Sequence, residues 1–264
     1  MNKTSHYLLT ILVPVFNEEG NILRLEKELA HFLQIAKVHS CILFVNDGSK
    51  DNSASLIKNV CQRQPDFFYL ELTRNSGLSA ALKAGIDYTQ SKYVGYIDAD
   101  LQTSPEDFNL LLDYVEDYEL VMGIRSGRKD SFVKNISSRI ANSFRRAMTH
   151  DGVADTGCPL KIMHTSNAKR IPFFTGMHRF LPALILLQNG KVKQIPVRHF
   201  KRIAGKSKYN LRNRLIAPLK DCFAYRWMKK RYINYEIAED NLFDGSLNLK
   251  TSSSSRTEMH RNLN

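Results

Sequence analysis

The sequence predicts an α/β fold, with a mainly parallel β-sheet covered by helices on both faces. Three observations lead there. Apolar runs rich in β-branched and aromatic residues recur at Leu8–Val15, Cys41–Val45, Phe67–Leu72, Tyr93–Ile97 and Leu120–Ile124. They are nearly continuous rather than alternating, as strands buried on both faces must be. Segments with helical spacing separate them, a rhythm that builds parallel sheets. Polar residues suited to ligand contact also follow successive runs, at the edge where open α/β sheets bind their ligands. The 264 residues and 43% hydrophobic content suffice for one large domain or one domain with an elaboration.

The first run enters Pro14-Val15-Phe16-Asn17-Glu18-Glu19. Asn17 is placed to cap a helix carrying Ile22, Leu25, Leu29, Phe32 and Leu33. Helix-dipole placement alone accounts for one of the two glutamates. The second run ends in Asn46-Asp47-Gly48-Ser49-Lys50-Asp51, where Gly48 marks a tight turn. Asp51 or Ser53 can cap the helix through Ile57 and Val60. Asp47 is either a turn aspartate or an acceptor for a base or ribose. The third run leads to Arg74-Asn75-Ser76-Gly77 and a small-residue helix. There Arg74 and the helix start suit a phosphate. Neither a Walker A loop nor a Gly-x-Gly-x-x-Gly fingerprint is present.

The fourth run carries Asp98 and Asp100. In extended chain, residues two apart point to the same side, so these carboxylates repel unless a cation lies between them. Gln102 adds an amide oxygen, and the set suits a hard divalent ion that completes its shell with water and phosphate. Alone, the pair reads more readily as a strand-to-helix turn whose acidic residues cap and solvate. Ser104 and Pro105 mark the start of a helix expected to run to about Tyr118.

Lys and Arg number 38 against 26 Asp and Glu, a net charge of +12. Much of the excess lies after Gly123, which points to a polyanionic partner surface. Ile136, Ile140, Phe144 and Met148 outline an amphipathic helix with a basic face, either a solvated surface helix or one suited to an anionic membrane or a lipid phosphate. Asp155 reads as a turn residue or as the orienter of a neighbouring arginine or substrate hydroxyl. His178 is given no proton-transfer role. Lys191–Phe200 reads as a strand, followed by the basic stretch Lys201–Tyr209, either a phosphate clamp or a solvated loop. Leu215–Met228 reads as a helix, with Trp227 and Lys229-Lys230-Arg231 suited to a membrane interface. From Glu236 the composition is that of a tail without a fixed fold. The four isolated cysteines argue for reduced thiols and a cytosolic setting. No apolar stretch is long enough to span a membrane.

Pro14–Glu18, Asn46–Ser49, Arg74–Gly77 and Asp98–Gln102, in this order, resemble the GT-A-type family 2 glycosyltransferases. Over roughly residues 8–230 the chain is similar to the dolichyl-phosphate mannose synthase and polyprenyl-phosphate glycosyltransferase branch. The Asp98–Gln102 string and Arg202-x-x-Gly205-x-Ser207-Lys208 are its most branch-specific parts. The resemblance implies a Rossmann-like GT-A domain with carboxyl-terminal amphipathic interface helices. Residues 1–124 would form its nucleotide-sugar half, 125–235 its acceptor and membrane-interface half, and 236–264 a polar tail.

It further implies that Pro14, Phe16, Glu18, Asp47, Arg74 and Asp98 line the nucleotide-sugar pocket. Asp98, Asp100 and Gln102 would hold Mg²⁺ or Mn²⁺, and Arg125 would join Asp98 and Asp100 in catalysis. Arg125, Arg139, Ser143, Arg202, Ser207 and Lys208 would bind the acceptor phosphate. The expected reaction is inverting transfer from a UDP- or GDP-sugar to a polyprenyl phosphate, at the cytoplasmic face of a membrane. Asn46 stands where an acidic residue is frequent. A Gln-x-x-Arg-Trp segment is missing, which disfavours a processive synthase. Without a carboxyl-terminal pair of membrane spans, anchoring is expected to be peripheral or supplied by an integral membrane partner.

The enzyme alternative is a glycosyltransferase with a saccharide acceptor in cell-envelope glycan synthesis. A nucleotidyltransferase lacks its Gly-rich start here. A basic nucleic-acid-binding module would explain the charge but not the acidic pair, and no nucleic-acid-reading motif is present. A catalytically silent, membrane-recruiting module is the remaining alternative.

Overall fold

The computed structural model describes residues 2–125, 143–200 and 211–235, with side chains in the last segment from Leu219 onward. The chain divides into two compact units, Met1–Tyr232 and Ile233–Asn264, and the sheet with its helices belongs to the first. Seven strands form the sheet: β1 Leu9–Val15, β2 Ser40–Asn46, β3 Phe67–Glu71, β4 Tyr93–Tyr96, β5 Leu120–Arg125, β6 Lys161–His164 and β7 Val192–Val197. Their order is β3-β2-β1-β4-β6-β5-β7. Every pairing is parallel except those of β6, which runs antiparallel to β4 and β5. Six carboxyl ends therefore share one edge with the amino end of β6. There Lys161 stands in register with Tyr96 on one side and Met122 on the other.

The helices are α1 Glu19–Ile35, α2 Ser53–Arg63, α3 Leu78–Tyr88, α4 Phe108–Leu112, α5 at 143–149, α6 Thr165–Lys169, α7 Leu181–Leu187 and α8 Leu211–Arg231. Because side chains alternate across the sheet, the strands feed two core layers. Ile11, Val13, Ile42 and Phe44 pack with Ile22, Leu25, Phe32 and Phe108 on one face. Leu12, Leu43, Val45 and Tyr96 pack with Leu82, Ile86, Phe180 and Leu184 on the other. Pro14 is tolerated in central β1 because its nitrogen faces the β4 side beyond the last ladder bond there, Ile97 N to Leu12 O (3.1 Å).

Several expected boundaries shift. The helix foreseen from Pro105 to Tyr118 is a 3-10 turn, Pro105–Asp107, followed by the short α4. Asp113, Glu116 and Asp117 lie where a continuing helix would place its negative pole, and Lys37 and Lys92 draw Asp113 and Glu116 outward. Ser104 caps nothing; its hydroxyl accepts from Arg198 (3.0 Å). Asn17 adopts φ +49° and accepts from the Lys50 amide (2.7 Å), so Glu18 becomes the residue that precedes α1. Asp51 accepts from Ser53 N at the start of α2 (3.0 Å) and from Glu19 N at the start of α1 (3.1 Å). The last strand stops at Val197, where Arg198 turns to bind Asp107 through its amide and Nε, both at 2.8 Å. Of the amphipathic helix expected at 136–148, only residues from 143 onward are described, and the 201–209 stretch and the 236–264 tail lie outside the described residues.

Candidate active site

The site is built at the shared strand edge. Asp98 stands one residue beyond the last β4 ladder bond, on the same side of the chain as Tyr96. The Tyr96 hydroxyl donates to its Oδ1. Burial pushes the Asp98 carboxyl up to about 6; the charge of Asp100 adds to this, while the Tyr96 hydrogen bond, Lys161 and Arg125 oppose it. Asp100 is buried, with Oδ1 accepting from the Gln102 amide (3.2 Å). The Gln102 side-chain nitrogen donates to Phe200 O (3.4 Å), and Gln102 O accepts from Phe200 N (2.8 Å). The exit of β7 is thereby tied to the acidic motif.

Two electrostatically coupled carboxylates and an amide oxygen fit a hard divalent ion. Among the described residues no three acidic, His or Cys side chains converge, so such an ion would draw its other ligands from substrate phosphates and water.

Arg125, the last residue of β5, forms a fork with Asp155: Nε to Oδ2 and Nη2 to Oδ1, both 2.8 Å. Both side chains are 14% exposed, so the pair is shielded yet reachable. Burial opposes the Arg125 charge, but Asp155 outweighs it and the net shift is upward. Gly157 permits the fork, because a Cβ there would stand 2.9 Å from Arg125 Nη2. Beneath them lies Lys161, 1% exposed. Its ammonium donates to the Cys158 carbonyl, approaches Thr156 O at 3.5 Å and sits 5.7 Å from the Tyr96 ring centroid. Burial lowers its pKa, with Cys158, Asp155 and Asp98 acting against the change.

The other end of the edge is ordered by Asp47. Its Oδ1 accepts from Ser76 N (2.7 Å), and its Oδ2 from Gly77 N and Asn75 Nδ2 (both 2.8 Å). Gly48, at φ +62°, is required because a Cβ would fall 2.5 Å from the Arg74 carbonyl carbon. Glu18 accepts from Asn21 Nδ2 (2.7 Å), and its amide donates to Ser53 Oγ (2.9 Å). Pro14 and Phe16 are half-buried and Arg74 is exposed.

Thus Asp98, Asp100, Gln102 and Arg125 come together, and Pro14, Phe16, Glu18, Asp47 and Arg74 line the adjoining strand ends. Ser143 is exposed at the start of α5. Arg139, Arg202, Ser207 and Lys208 lie outside the described residues. Asp155 is the orienter of an arginine. Sequence reasoning missed Tyr96, Lys161 and Arg198. Tyr96 carried a signal, a polar tip two residues before Asp98; Lys161 carried another, a lone charge opening an apolar strand.

His178 Nδ1 lies 3.0 Å from Ser79 Oγ, which also accepts from Gly176 N (3.1 Å). Burial, then Arg179 and Lys161, hold its pKa down at about 3, so it is neutral at pH 7.

Residues 10–171 match the family model described as glycosyl transferase family 2. The chain belongs to this family. Dodecaprenyl-phosphate galacturonate synthase of Rhizobium johnstonii is 33% identical over 211 residues, covering 77% of this chain and 62% of that protein. Undecaprenyl-phosphate 4-deoxy-4-formamido-L-arabinose transferase of Edwardsiella ictaluri is 31% identical over 206 residues, covering 77% and 63%. The chain therefore spans less than two thirds of the length of these relatives. Among solved structures, a mannosyltransferase of Pyrobaculum calidifontis in complex with GDP-Man and Mn²⁺ superposes with a TM-score of 0.62 at 18% identity, covering 83% of this chain and 63% of that one. Glucosyl-3-phosphoglycerate synthase of Mycobacterium tuberculosis with UDP gives 0.63 at 15% identity, covering 86% and 82%. The family 2 membership and the GT-A fold expected from the sequence are both found.

Proposed function

We propose that this chain transfers a sugar from a UDP- or GDP-linked donor to a polyprenyl phosphate, with inversion at the anomeric carbon. The observation that carries the reading is the coupled Asp98–Asp100 pair within electrostatic reach of the Arg125–Asp155 fork. In this reading residues 1–124 hold the donor, and 125–235 hold the acceptor and meet the membrane. Pro14, Phe16, Glu18, Asp47 and Arg74 border the nucleotide. Asp98, Asp100 and Gln102 hold Mg²⁺ or Mn²⁺, which when bound offsets the charge growing on the leaving nucleoside diphosphate. Arg125, with Arg139, Ser143, Arg202, Ser207 and Lys208, receives the lipid phosphate.

Asp155 supports a phosphate acceptor over a sugar hydroxyl. A carboxylate with both oxygens held by a guanidinium is a poor general base, and a phosphate oxygen is already ionised. Catalysis then rests on positioning and electrostatics. The names of the polyprenyl-phosphate relatives point the same way. No helix among the described residues is long and apolar enough to cross a membrane. Leu219, Phe223 and Trp227, four residues apart on α8, are nevertheless exposed beside Lys220, Lys229, Lys230 and Arg231. That face suits an anionic bilayer surface and a peripheral place on its cytoplasmic side, alone or beside an integral membrane partner.

The test is nucleoside diphosphate release from UDP- and GDP-sugars, with and without polyprenyl phosphate and Mn²⁺ or Mg²⁺. Release requiring both lipid and metal is expected, falling at least ~100-fold in folded Asp98→Ala and Asp100→Ala. Equal release without lipid would move the acceptor to water or a saccharide.

A further inference from the structure

We propose that Tyr96 is a positioning residue that fixes the plane of the Asp98 carboxylate and so selects the oxygen offered to a divalent cation. The inference rests on the metal-binding role proposed for Asp98. Tyr96 closes β4, and the pleat places its side chain on the same side as Asp98. Its ring is 4% exposed and packs in an apolar layer with Leu12, Val94, Met122 and Met163. The hydroxyl reaches out of that layer and donates to Asp98 Oδ1.

The phenol is itself held. Lys161 stands over its ring at 5.7 Å, with an ammonium pinned by the Cys158 and Thr156 carbonyls. A cation over the ring face draws electron density from the phenol and strengthens its O–H as a donor. Asp98 follows the last ladder bond of β4, so the strand fixes its Cα but not the rotation of its carboxylate. The hydrogen bond from a ring locked in the core supplies that constraint. Outer-shell partners of this kind orient metal-ligating groups and tune their affinity. The Tyr96–Asp98 link thus connects a core layer rigidly to the cation site. Asp100 is held separately, through the backbone amide of Gln102.

The test is Tyr96→Phe, which keeps the ring and removes the donor. The full chain is titrated with Mn²⁺, alone and with UDP or GDP present, and bound ion is followed by electron paramagnetic resonance. The expected result is an affinity for Mn²⁺ about 10- to 100-fold weaker and an altered spectrum of bound Mn²⁺. The metal-free protein should melt within a few degrees of the wild type, and turnover lost at limiting Mn²⁺ should return at saturating Mn²⁺. An unchanged affinity and spectrum would overturn the assignment while leaving the metal reading intact. A wild-type chain that binds no Mn²⁺ under either condition would overturn the metal reading and this assignment with it. Loss of binding that follows loss of the folded state would also overturn it, showing a purely structural tyrosine.

Discussion

The two ends of the shared strand edge are stabilised in opposite ways. Around β1, β2 and β3, polar side chains hold backbone. Asp47 gathers the amides of Ser76 and Gly77, Asn17 takes the Lys50 amide, and Asp51 takes those of Ser53 and Glu19. Around β5 and β6, side chains hold charge against charge or against carbonyl. Arg125 is forked by Asp155, Arg145 is buried against Asp151, and Lys161 is sunk among carbonyls. The first arrangement fixes the shape of loops. The second stores positive charge in a poorly solvated region, where it acts strongly on an anion but is costly to leave unpaired. On the proposed function, a donor that keeps one geometry and an acceptor phosphate drawn from a membrane would call for these two solutions.

Substitutions should separate the two ends. The largest effect is expected from Asp151→Ala, which strands the Arg145 guanidinium; Asp151 is fully buried and Arg145 nearly so. A loss of about 3–5 kcal/mol in unfolding free energy should appear in urea titration, and a loss below 1 kcal/mol would break the contrast.

Acid comes next. His178 is neutral in the fold, with its pKa held near 3 by burial and by Arg179 and Lys161, against an ordinary value of 6.5. Its contribution is complete above pH 6.5 and is lost as the pH falls towards 3, because only the unfolded chain takes up the proton in that window. Between pH 6 and 4 the wild type should lose up to about 1.4 kcal/mol per pH unit more than His178→Gln. Parallel stability–pH curves would refute this.

At the opposite end Asp47→Asn loosens the 75–77 turn. A cost of about 1–3 kcal/mol is expected, with a donor KM raised roughly tenfold and a smaller change in lipid KM. A larger rise in lipid KM would erase the distinction between the two ends. The smallest effect should come from Asn46→Asp. Asn46 donates to Glu71 Oε1 (3.3 Å) and accepts from Ser49 N (3.1 Å). A carboxylate keeps the second bond but opposes Glu71, at a cost of about 1 kcal/mol that salt should reduce.

The Asn46 pair also accounts for one departure from the family pattern: a carboxylate at 71, its register partner at the end of the next strand, makes an amide the better neighbour. Strands β1, β2 and β4 were readable because burial on both faces demands unbroken apolar runs, whereas β3, half-exposed at the sheet edge, was readable from its apolar and aromatic composition. The acidic pair was readable because its geometry is local, two residues along one strand end. Tyr96 was overlooked although its partner Asp98 is local; Lys161 and Arg198 were not readable, because their contacts with Tyr96 and Asp107 come from sequence-distant elements. Lys161 meets Tyr96 only because β6 enters the sheet antiparallel between β4 and β5, and Arg198 meets Asp107 across 91 residues. Asp155 was legible as the orienter of an arginine, but its assignment to Arg125 needed the sheet order. The helix after Pro105 was overread, since capping signals mark a start and say little about length.

The reversed strand has one more consequence. Arg125 leaves the sheet and Lys161 re-enters it at the same edge, on neighbouring strands paired at Met122 and Lys161. The 35 residues between them are therefore anchored at both ends on this edge. The pairings among β1, β2 and β3 involve neither of the two anchoring strands. If the proposed function holds, a fold wired this way can exchange its acceptor over evolutionary time while the strand ends assigned to the nucleotide stay still.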